Sequence, residues 1–110
     1  MGDFAAPSLT TTARATINSP GGYVFSIPTG TYDGYYIDYT VVSSSLGDMR
    51  AGQIITIRSG SSYHYTEQTT TDFGSTTAVT FNVEASGSNV SLYATASSGT
   101  YTVKAIVRAI

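Results

Sequence analysis

The chain has 110 residues, of which 41% are hydrophobic and 11% are charged, and its formal net charge is −2. This length and hydrophobic content indicate one globular domain with a modest core and exclude a disordered chain. No basic stripe is present, which argues against a nucleic-acid partner. The chain contains no cysteine, which excludes disulfides and the usual zinc sites, and no apolar run approaches the roughly 20 residues of a membrane helix.

The first part of the chain reads as an arm followed by two strands. Residues 1–9 show no clear side-chain period and are predicted to be an N-terminal arm, while residues 10–110 are predicted to form a single domain. The first strand is predicted over Thr10–Ile17, and it ends at a turn signal rich in proline and glycine. The second is predicted over Gly22–Ile27, with alternate side chains in the core: Tyr23, Phe25 and Ile27.

The stretch Tyr35–Val42 has the strongest strand pattern in the chain. Its odd-numbered side chains are predicted to face the core, because a strand has a side-chain period of two. The even-numbered face, which carries Asp38, is also largely apolar or aromatic. Because both faces of such a strand are usually covered, we expect a central strand whose second face is covered by another copy of the chain.

The rest of the chain alternates between strand patterns and polar turns. Strands are predicted over Met49–Arg58, Tyr63–Glu67, Thr77–Glu84, Val90–Thr95 and Tyr101–Ile110, with a polar loop over Gln68–Ser75. Eight short strands without a helical period predict an all-β, antiparallel, eight-stranded β-sandwich that is jelly-roll-like. An immunoglobulin-type sandwich is the alternative, although the Cys–Trp–Cys pattern of that fold is absent.

The ionisable residues give little sign of catalysis. His64 is the only histidine, and no G-x-S-x-G nucleophile elbow accompanies it. A glycosidase needs two facing carboxylates about 5 to 10 Å apart, and Asp38 with Glu67 is the pair that neighbouring strands could supply. We expect instead that each acid caps a loop or pairs with an arginine. The sequence predicts a protein that is not an enzyme and has no metal or cofactor.

Nine tyrosines are many for this length. A tyrosine ring combines an apolar body with a polar tip, which suits both sugar stacking and protein interfaces. Four are predicted to be structural: Tyr23, Tyr35, Tyr39 and Tyr101. The others are candidates for recognition or subunit contact: Tyr32, Tyr36, Tyr63, Tyr65 and Tyr93. The aromatic side chains predicted as ligand contacts are Tyr32, Tyr63, Tyr65 and Phe73.

The outward faces of two predicted strands, Tyr35–Val42 and Tyr101–Ile110, predict self-association. In a monomer they would expose an apolar patch of the kind that marks an interface. We predict a homo-oligomer in which these faces meet and Asp38 pairs with Arg50, Arg58 or Arg108. The predicted interface residues are Tyr36, Asp38, Val42, Ile106, Arg108 and Ile110.

Four segments carry a resemblance to a known group of proteins: Y-I-D-Y-T-V (36–41), R-A-G-Q-I-I-T-I (50–57), A-V-T-F-N-V (78–83) and S-G-S-N-V-S-L-Y-A-T (86–95). With the β-rich C-terminus, they resemble small β-sandwich domains of tailed-phage virion proteins, such as head fibres, tail fibres and decoration proteins. The resemblance covers residues 35–110. It implies a jelly-roll-like homotrimer, similar to tumour-necrosis-factor domains, that is displayed on the virion.

Two functions follow from this resemblance. The first is a structural virion protein without catalysis, either a trimeric surface knob or a capsid decoration protein, whose partners are other virion proteins such as capsid or fibre. The second is the carbohydrate- or receptor-binding tip of a tail fibre, with a host surface glycan as the ligand. The resemblance supplies no catalytic residues.

Overall fold

The computed structural model describes residues 8–30, 32–45, 47–60, 62–86 and 88–110. These residues form eight strands and no helix, so none of them belongs to a helix that could span a membrane. The strands are β1 (Leu9–Asn18), β2 (Gly21–Pro28), β3 (Gly34–Ser43), β4 (Met49–Ser59), β5 (Ser62–Thr69), β6 (Val79–Ser86), β7 (Asn89–Ala96) and β8 (Thr100–Ala109).

The strands form two antiparallel sheets. One has five strands in the order β1-β8-β3-β4-β5, and the other has three in the order β2-β7-β6. The predicted eight-stranded antiparallel sandwich is confirmed. Strands β3, β4 and β5 form a meander, whereas the β1–β8 and β2–β7 pairs join the two ends of the chain. The jelly-roll description stays a prediction.

Strand β3 lies at the centre of the five-stranded sheet, between β8 and β4. Its odd-numbered side chains are buried between the sheets as predicted, with Tyr35, Ile37 and Val41 fully inaccessible to solvent. Complete burial of one aliphatic side chain stabilises the folded state by about 1.5–3 kcal/mol. The three-stranded sheet contributes the facing side of the core, which includes Val90 and Leu92 on β7.

Strand β2 departs from simple alternation. Its pairing with β7 shifts between Tyr23 and Phe25, where Val24 is one residue too many for the ladder. Such a bulge reverses the phase of the side chains, so Val24 and Phe25 both point into the core. Tyr23 is 56% exposed, and the prediction that placed it in the core is wrong.

Two predicted boundaries also need comment. Strand β5 runs to Thr69, beyond its predicted end, because Gln68 and Thr69 continue the ladder with Gln53 and Gly52. Strand β1 begins at Leu9. The predicted N-terminal arm therefore lies almost wholly in residues 1–7, which are outside the described residues, and it stays a prediction.

Candidate functional site

The outer face of the five-stranded sheet is the surface that points away from the three-stranded sheet. Strands β3 and β8 pair so that Tyr36 lies opposite Arg108 and Asp38 opposite Ile106. The backbone of Ile110 exchanges hydrogen bonds with Gly34 at 2.9 and 3.1 Å, which extends the same ladder by one residue. The structure thus brings all six predicted interface residues onto this one face: Tyr36, Asp38, Val42, Ile106, Arg108 and Ile110.

Large apolar side chains are exposed on this face. Ile106 is 46% exposed and Ile110 is 54% exposed, while Ile57, which the predicted interface did not include, is 61% exposed. Gly34 pairs with both Ile57 and Ile110. Because glycine has no side chain, the two isoleucines border a gap. Only the strand register reveals this arrangement, which explains why the sequence pattern missed Ile57.

The polar groups at the centre of the face interact within the chain. The Gln53 amide donates a 2.7 Å hydrogen bond to Asp38, and the Arg108 guanidinium lies 3.9 Å from the same carboxylate. Arg108 also lies over the ring of Tyr36, 5.3 Å from its centroid. Both charged side chains are about half exposed, so their ion pair contributes about 0–1 kcal/mol.

This contact narrows one expectation. Of the three arginines predicted as partners of Asp38, Arg108 is the one that reaches it within a single chain, and a pairing between copies stays a prediction. Arg50 and Arg58 point to the opposite side of the sheet. Arg50 hydrogen-bonds Thr76 there, and Arg58 donates to the carbonyl oxygen of Tyr32 at 2.8 Å.

A shallow groove of about 760 Å³ crosses the middle of the outer face, and a second of about 310 Å³ adjoins it. Both grooves are lined by Thr40 and Ala51, because small side chains at the centre of the sheet leave the backbone accessible. Arg14 and Lys104 border the first groove, and Phe73, which is 73% exposed, borders the second. The face is therefore mildly concave, apolar in its floor and basic along β1 and β8.

The opposite side of the same sheet holds a buried arginine. The side chain of Arg50 is only 10% exposed, and its guanidinium donates to the carbonyl oxygens of Thr76 at 2.9 Å and Val79 at 3.1 Å. It also lies 5.7 Å from the ring centroid of Tyr39 and 5.6 Å from that of Phe81. Because these contacts join β4 to β6 and to the loop before it, Arg50 connects the two sheets.

Tyr39 links Arg50 to an acidic side chain. Its hydroxyl donates to Glu67 and accepts a 3.3 Å hydrogen bond from Arg50. Burial, together with the hydrogen bond to the Glu67 carboxylate, raises the pKa of Tyr39 to about 12. The hydroxyl therefore stays protonated at neutral pH and acts as a structural donor.

The carboxylate pair considered for glycoside hydrolysis does not form. Asp38 pairs with Gln53 on the outer face, whereas Glu67 pairs with the fully buried Ile54 and so points between the sheets. A sheet separates the two carboxylates, and two acids on opposite faces cannot flank one glycosidic bond. Among the described residues, no group of three or more histidine and acidic side chains could hold a metal ion.

The four predicted ligand contacts do not form one site. Tyr32 and Tyr63 lie near Arg58 at one end of the sheet, while Phe73 bridges to Met49 at the other. Arg58 and Met49 are nine residues apart on β4, so about 30 Å separates the two ends. Tyr65 lies between them and donates a 2.8 Å hydrogen bond to Asn82.

The outer face of the three-stranded sheet carries Tyr23, Asn82, Glu84 and Tyr93, and Tyr65 reaches Asn82 from β5, the edge strand of the other sheet. We call these five residues the tyrosine cluster. Tyr23 and Tyr93 meet edge to face with ring centroids 5.0 Å apart. The Tyr23 hydroxyl donates a 2.9 Å hydrogen bond to Glu84, and the Asn82 amide donates a longer one of 3.4 Å to the same carboxylate. The sequence analysis missed this cluster because it placed Tyr23 in the core.

No family model and no curated protein matches the chain. Among solved structures, it is similar to the tailspike protein gp49 of Acinetobacter baumannii bacteriophage Fri1, a capsular polysaccharide depolymerase, with a TM-score of 0.50 and 17% identity; the match covers 92% of this chain and 17% of that one. It is also similar to the tailspike protein of Acinetobacter phage vB_ApiP_P1, with a TM-score of 0.53 and 12% identity, over 100% of this chain and 23% of that one.

These similarities concern the fold. The chain spans less than a quarter of the length of either tailspike. The described sandwich is therefore an architecture that the chain shares with a segment of two phage tailspikes.

Proposed function

We propose that this chain is a structural and receptor-binding domain of a phage tail, assembled as a homotrimer on the virion and without catalytic activity. The observation that carries the proposal is the shared fold, which extends over 92% and 100% of this chain in two phage tailspikes. Of the two functions that the sequence resemblance implies, a tail location is favoured over capsid decoration, because both similar structures are tailspikes.

The outer face of the five-stranded sheet supports self-association. Ile57, Ile106 and Ile110 expose about half or more of their surface there, and aliphatic groups gain roughly 25 cal/mol for each Å² removed from water. Five strands about 4.8 Å apart and about ten residues long present an area of roughly 800 Å², which is about what a standard interface buries on each partner. The number three comes from the resemblance to trimeric virion domains.

The proposal excludes hydrolysis by the pair of acids that the sequence offered. Asp38 is bound by Gln53 and Arg108 on one side of the sheet, and Glu67 accepts the Tyr39 hydroxyl on the other. Each carboxylate already has a structural partner. The domain then contributes assembly and recognition, while any cleavage of polysaccharide belongs to another part of the particle.

Static light scattering of the purified chain at micromolar concentration tests the assembly. The proposal expects a mass three times the 11.5 kDa of one chain. A mass of one chain would contradict it.

Immunogold labelling of the phage that encodes the chain tests the location. Antibodies raised against the folded domain should label the tail. Label confined to the capsid would support a decoration protein and contradict a tail domain.

A further inference from the structure

The tyrosine cluster lies on the side of the sandwich opposite to the proposed trimer face. Tyr23 and Tyr65 remain 56% and 43% exposed although both hydroxyls have partners within the chain. Two exposed aromatic rings, each fixed by a hydrogen bond at its hydroxyl, form a surface that a ligand can contact. We propose that the tyrosine cluster is a binding platform for a neutral saccharide.

The cluster is held in place by a chain of hydrogen bonds. Tyr65 donates to Asn82, Asn82 donates to Glu84, and Tyr23 donates to the second oxygen of Glu84. The hydrogen bond from Tyr23 and the negative charge of Glu84 raise the pKa of the Tyr23 hydroxyl, so this group stays a donor at neutral pH. These side chains are thus ordered before a ligand binds, which reduces the loss of conformational entropy on binding.

The remaining hydrogen-bonding capacity suits sugar hydroxyls. The Asn82 amide keeps a second N–H, the hydroxyl oxygens of Tyr23 and Tyr65 can each accept, and the Glu84 carboxylate has free lone pairs. A planar amide beside a planar carboxylate can bind neighbouring hydroxyl groups of one sugar ring. The Tyr23 ring, braced edge to face by Tyr93, offers an apolar surface for the C–H face of that ring.

The charge of the surface selects among saccharides. Strands β2, β6 and β7 contain no lysine or arginine, and Glu84 is their only charged residue. A uronic acid or another acidic sugar would meet a carboxylate with no cation on the same sheet to compensate. Like charges in contact cost free energy, so a neutral sugar is the ligand class that fits.

This inference rests on the proposed function only for the class of ligand, since a tail domain that contacts a host surface meets polysaccharides. The position of the tyrosine cluster in the sandwich also supports a role in binding a surface outside the assembly. If copies cover the five-stranded sheet, the three-stranded sheets of the assembly face outward, and each carries one copy of the platform. Several weak sites on one particle then act together, because the second binding event becomes intramolecular.

The experiment uses the native assembly and an array of purified bacterial capsular polysaccharides, both neutral and acidic. The strongest neutral binder is then titrated calorimetrically against the wild type and three variants. Tyr23→Ala removes the platform, Glu84→Gln removes the charge but keeps the shape, and Phe73→Ala is the control. Phe73 is the more exposed aromatic residue, at 73%, and lies in the loop after β5, where it bridges to Met49 of the other sheet.

We expect binding to at least one neutral polysaccharide. Affinity should fall roughly tenfold or more in Tyr23→Ala, the loss of a main stacking contact, should fall less in Glu84→Gln, and should be unchanged in Phe73→Ala. Circular dichroism and light scattering verify that each variant is folded and assembled. If Tyr23→Ala does not fold, Tyr23→Phe, which loses only the hydroxyl, must weaken binding instead.

Several results would overturn the inference: no neutral polysaccharide binds, acidic polysaccharides bind as well as neutral ones, or Tyr23→Ala binds as tightly as the wild type. These failures are distinct from failure of the assembly. If the protein is a monomer and Tyr23→Ala loses sugar binding, the platform is supported and the trimer is refuted. If the protein is a trimer and binds no neutral sugar, the trimer is supported and the platform is refuted.

Discussion

The two outer faces of the sandwich differ in what they expose to water. The outer face of the five-stranded sheet presents isoleucines, together with three of the five basic residues of the chain, Arg14, Lys104 and Arg108. The outer face of the three-stranded sheet presents Tyr23 and Tyr93 around a single acid. Tyrosine tolerates water through its hydroxyl, whereas isoleucine does not. The contrast supports the proposal that copies of the chain cover the first face and leave the second one open.

The largest expected effect comes from placing a charge on the apolar face. Ile106→Asp puts a second carboxylate directly opposite Asp38, and burying both at an interface would cost several kcal/mol. We expect the assembly to dissociate into folded monomers, as measured by light scattering. The matched control is Thr80→Asp on the exposed outer face of the three-stranded sheet, which should leave the mass unchanged. Dissociation of both variants, or of neither, would remove the distinction between the faces.

The next prediction compares the substitution of a buried arginine with that of a half-exposed one. Arg50→Ala leaves Thr76, Val79 and Tyr39 without their donor, so we expect a loss of about 3–5 kcal/mol in the free energy of unfolding. Arg108→Ala removes a half-exposed ion pair and should cost less than about 1 kcal/mol. Urea denaturation measures the free energy of unfolding of both variants. A similar loss in the two variants would mean that the outer face is part of the folding core rather than a surface for contact.

A smaller effect is expected at alkaline pH. Because the pKa of Tyr39 is about 12 in the folded protein and ordinarily 10.0, the neutral hydroxyl stabilises the fold fully below pH 10.0. This contribution is lost as the pH rises through about 12. The difference in thermal stability between the wild type and Tyr39→Phe should therefore shrink over that interval. Parallel curves would show that folding does not raise the pKa of Tyr39.

The smallest effect concerns the open face itself. Tyr23→Phe removes one exposed hydrogen bond to Glu84 and should lower the free energy of unfolding by less than about 1 kcal/mol. Urea denaturation of this variant beside the wild type checks the value. A loss of several kcal/mol would assign the tyrosine cluster to folding rather than to recognition.

Local alternation predicted much of the fold. In β3 and β8 it separated buried from exposed side chains correctly, because both strands pair without a shift over their whole length. The same rule failed at Tyr23, since the bulge at Val24 adds one residue and a period of two cannot anticipate it. The six predicted interface residues lie on one face because they occupy alternate positions of two paired segments, β3 and the C-terminal stretch that includes β8 and Ile110.

Contacts between distant strands could not be predicted. Tyr23 and Glu84 are 61 positions apart, and their meeting depends on the register of β2, β7 and β6. The same holds for Ile57 and Ile110, which become neighbours across Gly34 only when β3 pairs with both β4 and the C-terminus. The sequence analysis expected no catalytic Asp38–Glu67 pair but could not exclude one, because strand spacing alone does not say which face each side chain takes.

The most direct test of the central claim is the solvent accessibility of the isoleucine methyl groups of the outer face of the five-stranded sheet, measured by NMR with a soluble paramagnetic probe. In one isolated chain Ile57, Ile106 and Ile110 are about half exposed or more. In the native assembly we predict that their methyl signals are protected from broadening, as is that of the buried Ile37, while the Tyr23 ring is broadened. Full broadening of the three isoleucine signals in the native protein would contradict the account.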